Sequence, residues 1–155
     1  IWLAFTPIKL NYLNLMIQKA TELGITRLIP ILTERTVVRK LNEKRIHKII
    51  AEASEQSNRL NIPKLDKIIK LDNFLKSNQN INVVFGDLNS ERTKLNLEKK
   101  EPICILIGPE GDFTVKEREN ILKHKKIFPI KINKNILRSE TAAISMISIV
   151  SFNLL

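Results

Sequence analysis

Apolar residues change their spacing twice at the start of the chain. Residues 1–6 form an almost unbroken apolar run, which is typical of a buried strand. Residues 27–32 form the next such run. Between the two runs lies a segment with helical spacing that stops before Gly24, a residue type that commonly terminates helices; its inward positions are Leu10, Leu13, Ile17 and Ala20. The order strand, helix, strand predicts a βαβ unit and therefore a parallel sheet.

The middle of the chain predicts a second helix that begins after Asn42, whose side chain can cap it. Its predicted inward face consists of Ile46, Ile49, Ile50, Ala53, Ser57 and Leu60. Further on, residues 71–76 predict a short helix, residues 81–85 a strand, and residues 90–101 a polar connection with little pattern. Because no repeat or long linker divides the chain, we expect a single domain over residues 1–155.

A turn with two glycines follows the next apolar run. Residues 103–107 are typical of a central parallel strand, and Gly108-Pro109-Glu110-Gly111-Asp112 comes directly after them. Thr114 and Glu117 have the spacing of a capping box, which predicts a helix right after the turn. Ligands of α/β proteins bind at the carboxyl ends of strands, so this turn is a candidate binding segment. The chain has neither the Gly-x-Gly-x-x-Gly pattern of dinucleotide folds nor a Gly-Lys-Ser/Thr phosphate loop, which disfavours dehydrogenases and nucleotide triphosphatases.

The carboxyl-terminal quarter predicts a strand that ends within residues 129–132, a loop over residues 133–135, and a helix capped by Ser139. The helix is apolar on nearly every side, so we expect it to be buried in a core or against a second subunit. Two interpretations are open for the charges at its start. In the first, Arg138 is a solvated charge and Glu140 is favoured by the helix dipole; in the second, both residues face a ligand.

Composition and charge narrow the possible partners. The chain has 43% hydrophobic and 27% charged residues, which is ordinary for a globular protein. Cys104 lies inside an apolar run, which predicts a buried thiol. His47 and His124 lie in basic segments that we expect to be exposed helices, so we predict both to be surface residues. With these few soft ligands we expect no metal site. We expect no membrane-crossing segment and a location in the reducing cytoplasm. The net charge of +10 favours a nucleic acid partner, and residues 39–70 concentrate it, with nine Lys or Arg against four acids.

The second predicted helix carries part of this charge on its outer side. Glu52, Gln56 and Arg59 stand at i, i+4 and i+7 and therefore share one face of the predicted helix. The face has two interpretations. It is either a solvated surface or a surface that meets RNA bases and phosphates.

Four segments together resemble one family: residues 18–35, residues 52–59, residues 107–113 and residues 136–143, which read QKATELG with IPILTER, EASEQSNR, IGPEGDF and ILRSETAA. They resemble the RsmE family of small-subunit ribosomal RNA methyltransferases, which belong to the SPOUT superfamily and methylate N3 of a uridine in 16S rRNA. The resemblance implies a parallel α/β sheet whose carboxyl-terminal part forms a deep trefoil knot, S-adenosylmethionine bound in that knot, and a homodimer. It also implies a family-typical amino-terminal β-barrel for RNA binding, which we expect residues 1–155 not to include.

The resemblance also implies roles for individual residues. For S-adenosylmethionine it implies contacts from Ile107, Gly108, Pro109, Glu110, Gly111, Ile132, Ile136, Leu137, Arg138, Glu140 and Thr141. For the charge that develops on the uracil oxygens we expect Arg138, with Arg59 as second choice, because a guanidinium stays protonated. Glu140 is the candidate base, and Glu110 is an alternative. For the RNA we expect Gln56, Arg59, Glu22 and Arg35.

Two positions depart from the family pattern. Asp112 stands where a second glycine is usual, and Asn135 stands where an arginine is usual. Both residue types tolerate turn conformations. Two rival functions stay open. One is another knotted methyltransferase that acts on ribose oxygens or on tRNA, although residues 52–59 argue against it. The other is an RNA-binding or ribosome-binding module without catalysis, which the two departures favour.

Overall fold

The computed structural model describes residues 1–97 and 101–155. The predicted polar connection over residues 90–101 lies partly outside this range, and its described residues form no helix or strand. In chain order the elements are β1 (Trp2–Phe5), α1 (Leu10–Glu22), β2 (Arg27–Leu32), α2 (Glu43–Gln56), β3 (Lys64–Leu65), β4 (Ile69–Lys70), α3 (Leu71–Ser77), β5 (Asn82–Gly86), β6 (Ile103–Ile107), α4 (Val115–Leu122), β7 (Ile127–Ile130) and α5 (Ser139–Asn153).

All the strands pair in parallel, which confirms the predicted sheet. Their order is β3-β2-β1-β6-β5-β7, and β4 also pairs with β2. The central strand β6 is buried along its whole length, as its apolar run predicts. Since the strands are parallel, their carboxyl ends share one edge of the sheet, and we call this the carboxyl edge.

Helices cover both faces of the sheet, and β6 alternates between the two cores. Ile103, Ile105 and Ile107 point into the core formed with α1, α2 and α5, whereas Cys104 and Leu106 point into the core formed with α3 and α4. Cys104 is fully buried, which confirms the predicted buried thiol, and this burial raises its pKa to about 12. Within the described residues, no helix is both long and apolar enough to cross a bilayer.

The segment after β5 lies against the chain at the end of β7. Three hydrogen bonds join them: Asp87 N donates to Ile130 O at 2.9 Å, Lys131 N to Arg92 O at 2.8 Å, and Ser90 Oγ to Pro129 O at 3.0 Å. These contacts are consistent with a carboxyl-terminal segment passing beneath the loop after β5. The trefoil knot itself stays a prediction.

Two details of the sequence analysis are wrong. The second helix ends at Gln56, because Asn58 adopts a left-handed backbone with φ of 53°, and Leu60, expected to face the core, is 99% exposed. His124, taken as a surface residue, is buried. Its Nδ1 accepts a hydrogen bond from Lys126 N at 3.2 Å, so Nε2 carries the proton and donates to Asn78 O at 2.9 Å.

Candidate functional site

A cleft of about 340 Å³ opens at the carboxyl edge, where β5, β6 and β7 end. It is lined by residues 86–88, 107–112, 130–133 and 135–137, together with Ser139 and Ala142. Its size falls within the range of small-molecule sites, about 300–1,000 Å³. Of the eleven residues predicted to bind a cofactor, the cleft brings together Ile107, Gly108, Pro109, Glu110, Gly111, Ile132, Ile136 and Leu137.

The turn after β6 is shaped by close packing. A Cβ atom at Gly108 would lie 2.7 Å from Cε2 of Phe113, so this position has no room for a side chain. Asp112 adopts a left-handed backbone with φ of 59°, its amide donates to Pro109 O at 2.9 Å, and its Oδ1 accepts from the Phe113 amide at 2.8 Å. The aspartate that departs from the family pattern therefore stabilises its own turn, as the residue type allows.

Ser139 joins two walls of the cleft. We expected its hydroxyl to cap the last helix, but α5 begins at Ser139 itself and Arg138 is the capping position, without a side-chain cap. That expectation is wrong. The Ser139 Oγ donates instead to Gly108 O at 3.0 Å. This bond fixes the start of α5 against the turn after β6.

The loop after β2 supports the same turn from outside. Arg35 Nη1 donates to Gly111 O at 2.6 Å, and Glu34 N donates to Glu117 Oε1 at 2.8 Å. The second oxygen of Glu117 accepts from Thr114 N at 2.9 Å, so the predicted capping box is confirmed. The Glu117 carboxylate thereby connects the start of α4 to the loop after β2.

Asp87 forms a wall that the sequence analysis missed. Its carboxylate is buried and accepts from Arg118 Nη2 at 2.7 Å and Nε at 3.2 Å. Hydrogen bonding to Asp87 raises the pKa of Arg118 above its ordinary value. Gly108 was selected because ligands of α/β proteins bind at the carboxyl ends of strands. The same rule could have selected Asp87, because Gly86 and Asp87 directly follow an apolar strand run.

Three predicted contacts do not line the cleft: Arg138, Glu140 and Thr141. Arg138 is exposed, and its guanidinium carbon lies 5.0 Å from the ring centre of Tyr12. Contact with the Tyr12 side chain raises the pKa of Arg138. Thr141 is exposed, whereas Glu140 is buried, and neither side chain has a hydrogen-bond partner among the described residues.

Three predicted RNA contacts lie at the other end of the sheet. Arg59 Nη1 donates to the backbone oxygens of Thr21 at 2.6 Å and Ile25 at 2.7 Å, just before β2 begins. Burial lowers the pKa of Arg59, although two carbonyls hold its guanidinium. Gln56 and Glu22 end the helices that return to this same edge. The structure therefore brings Arg35 to the cleft, but it does not bring Arg59, Gln56 or Glu22 there.

Comparisons with known proteins agree with this architecture. A family profile described as RNA methyltransferase domain matches residues 1–151. The chain is 38% identical over 150 residues to the ribosomal RNA small subunit methyltransferase E of Rickettsia conorii, with 94% of this chain and 62% of the relative covered. It is 29% identical to the same enzyme of Aquifex aeolicus, with 92% and 63% covered. The chain spans about three fifths of the length of these curated relatives.

Solved structures give the same result. The ribosomal RNA small subunit methyltransferase E of Neisseria gonorrhoeae, bound to S-adenosylmethionine, superposes with a TM-score of 0.86 at 26% identity, with 97% of this chain and 65% of that chain covered. A methyltransferase of Legionella pneumophila, solved with S-adenosylmethionine, has a TM-score of 0.85 at 28% identity, with 98% and 66% covered.

Proposed function

Because this chain belongs to the RNA methyltransferase domain family, we propose that it uses S-adenosylmethionine to methylate N3 of a uridine in 16S ribosomal RNA. Its similarity to small-subunit methyltransferases E confirms the resemblance to the RsmE family. One observation carries the proposal for this chain's own residues. The Ser139 hydroxyl binds the glycine turn after β6 to the start of α5, and the cleft lies between this turn and residues 130–137.

The cleft fits S-adenosylmethionine in chemistry as well as in size. Ile132, Ile136 and Leu137 offer apolar surface to an adenine ring, and the backbone of residues 107–111 can hydrogen-bond adenine and ribose. Glu110 and Asp112 add carboxylates to the lining, which suit a ligand with a positive ammonium and sulfonium. Bound S-adenosylmethionine supplies a methyl group that is activated by its attachment to a positive sulfur.

The residues at the start of α5 provide the remaining chemistry in this proposal. Arg138 stays charged and lies over Tyr12, so it can stabilise negative charge on the uracil oxygens. Glu140 is the candidate to accept the N3 proton, because this residue is buried at the helix start beside Arg138 and its carboxylate accepts no hydrogen bond within the described residues. Glu110 is the alternative, since it is exposed and lines the cleft. Arg59 would need to act from the opposite edge of the sheet, so we rank it below Arg138.

We further propose small ribosomal subunits as the substrate, a homodimer and a cytoplasmic location. The dimer proposal is supported by apolar side chains that one chain leaves exposed next to the cleft and on α5. Ile136 is 83% exposed and Phe152 is 76% exposed. Large apolar side chains are usually buried in folded proteins, so we propose that a second copy of the chain covers these two.

Calorimetric titration with S-adenosylmethionine and methylation of unmodified small subunits test the proposal. We expect binding, and we expect mass spectrometry of the digested RNA to show N3-methyluridine. Arg138→Gln should lower methyl transfer by about 100-fold or more while cofactor affinity changes little. Lys125→Gln, which removes an exposed charge at the opposite edge, is the control.

Three results would count against the proposal. A dissociation constant weaker than about 1 mM for S-adenosylmethionine would favour a non-catalytic RNA-binding module. Methylation of ribose oxygens or of tRNA would indicate another kind of knotted methyltransferase. Full activity in Arg138→Gln would remove Arg138 from the site.

A further inference from the structure

Six basic residues lie along one side of the cleft mouth, and we call them the basic rim: Arg35, Arg39, Lys40, Lys44, Arg45 and Arg138, all of them exposed. They come from the loop after β2, from the first turn of α2 and from the residue before α5. All three segments lie at the carboxyl edge, because the loop leaves the carboxyl end of β2, α2 begins where that loop ends, and Arg138 precedes the cleft residue Ser139.

Contacts place the rim next to the turn that closes the cleft. Arg35 reaches Gly111 O at 2.6 Å, so the loop after β2 touches one wall of the cleft. Arg39 Nη2 lies 3.4 Å from Thr33 O, which keeps it on the same loop. Lys40 follows Arg39 directly and extends the positive charge toward α2.

A second set of contacts continues the rim to the other wall. The Asn14 amide is oriented with its nitrogen donating to Leu10 O. In this orientation the Asn14 side-chain oxygen accepts a hydrogen bond from Arg45 Nη2 at 2.8 Å, and this bond joins α2 to the first half of α1. Tyr12, on the same helix, lies under Arg138 at 5.0 Å. Ser139 follows Arg138 and lines the cleft. The rim therefore runs from the turn after β6 to the start of α5.

No ion pair within the described residues neutralises the rim, and the carboxylates that interact with it electrostatically are those of Glu140 and Glu110, both beside Arg138. Residues 33–48 hold six Lys or Arg and two Glu. The two acids are Glu34 and Glu43. Within the described residues neither acid forms an ion pair, and neither Lys40 nor Lys44 does. Glu110 and Asp112 are the acids on the cleft side. A row of exposed, unpaired cations is the surface that a polyanion binds, since each contact releases counterions.

We propose that the basic rim binds the phosphate backbone of the RNA beside the target nucleotide and so directs that nucleotide into the cleft. This inference rests on the proposed function and specifies which face meets the substrate. In this proposal the RNA meets the start of α2 and not its end, since Gln56 and Arg59 lie at the opposite edge of the sheet. Phosphate contacts of this kind position the RNA and carry no base specificity.

The double variant Lys40→Gln/Lys44→Gln tests the rim. Both lysines are exposed and unpaired among the described residues, so the fold should not change. The matched control is Lys123→Gln/Lys125→Gln, which removes the same charge from exposed positions between α4 and β7 at the opposite edge. Binding of a fluorescently labelled oligouridine RNA is measured by anisotropy across a salt series. The KM and kcat for small subunits are measured alongside.

For the rim variant we expect the slope of log affinity against log salt to fall in magnitude by about 1.4, which is about 0.7 for each lost phosphate contact with a single strand. The KM for RNA should rise while kcat and S-adenosylmethionine affinity stay unchanged. The control should match the wild-type chain. Arg39→Gln is a second variant, with an expected change in slope of about 0.7.

The inference is overturned if rim and control variants give the same slope, or if the wild-type chain does not bind the RNA. Failure of the proposed function looks different. In that case the wild-type chain does not bind S-adenosylmethionine in calorimetry, whatever the RNA measurements show.

Discussion

Replacing Gly108 by alanine adds one methyl group at the point where the turn after β6 crosses the Phe113 ring. The added Cβ would lie 2.7, 3.0 and 3.2 Å from three ring carbons. Carbon atoms prefer separations of about 3.5–4.0 Å, so the turn or the ring must move by roughly 0.8 Å. The ring cannot move easily, because it is 93% buried and packs edge-on against Phe85 with ring centres 5.5 Å apart.

Overpacking of this kind costs about 1–3 kcal/mol. In a chain of this size each kcal/mol lowers the melting temperature by about 2–4 °C. We therefore expect Gly108→Ala to melt several degrees below the wild-type chain without any ligand. The affinity for S-adenosylmethionine should fall as well, because the backbone of the turn is a proposed ligand contact.

Gly111→Ala is the matched control for stability. It makes the same change three residues later, where the nearest atom to a new Cβ is Arg35 Cδ at 3.6 Å, an ordinary contact. Its backbone does not adopt the left-handed conformation, so alanine is not strained there. Phe113→Leu should restore part of the stability when combined with Gly108→Ala. Equal melting temperatures for the two glycine variants would refute the reasoning.

Two further predictions concern Arg59 and Cys104, which do not line the cleft. Arg59→Met removes the hydrogen bonds to Thr21 O and Ile25 O, so the free energy of unfolding measured in urea should fall by about 1.5–3 kcal/mol. The affinity for S-adenosylmethionine measured by calorimetry should stay unchanged. A variant with normal stability and a selective loss of methylation would contradict this structural role. Burial raises the pKa of Cys104 to about 12, so the folded chain holds the thiol proton more tightly than the unfolded chain does. Relative to Cys104→Ala, the wild-type chain should lose about 1.4 kcal/mol of unfolding free energy per pH unit between about pH 9 and pH 12, and nothing below pH 9. If the unfolding free energies of the two chains changed in parallel with pH, the burial argument would be wrong.

Local patterns predicted the elements well and their mutual positions only in part. Residues 27–32 were predicted as a strand and form β2 with the same bounds. The turn at Gly108 was identified as a binding segment because strand-end turns have a general role in α/β proteins. The order of the strands could not be read from the sequence, because each parallel strand is a similar apolar run and none specifies its neighbour.

The local placements that the sequence analysis missed depend on contacts that are distant in sequence. Arg59 was placed on a helix face by extending a period of 3.6, but the left-handed backbone at Asn58 ends that face and turns Arg59 onto α1. Ser139 has the residue type of a helix cap, yet its hydroxyl finds Gly108 O, 31 residues away in the chain. Arg35 and Gly111 are 76 residues apart. No local pattern contains such pairs, because they arise only when the sheet assembles.

The position of β6 has a consequence for how the chain is made. Its residues pair with β1, as in the register of Trp2 with Cys104, so these partners are separated by about a hundred residues of sequence. During synthesis β1 leaves the ribosome long before β6 exists, and one side of it stays unpaired meanwhile. The side chains of β1 are apolar, and its open edge presents unpaired backbone N–H and C=O groups, so during that interval the strand can pair with wrong partners. A nascent chain stalled before residue 103 should therefore bind chaperones, while one extended past residue 107 should begin to bury that side.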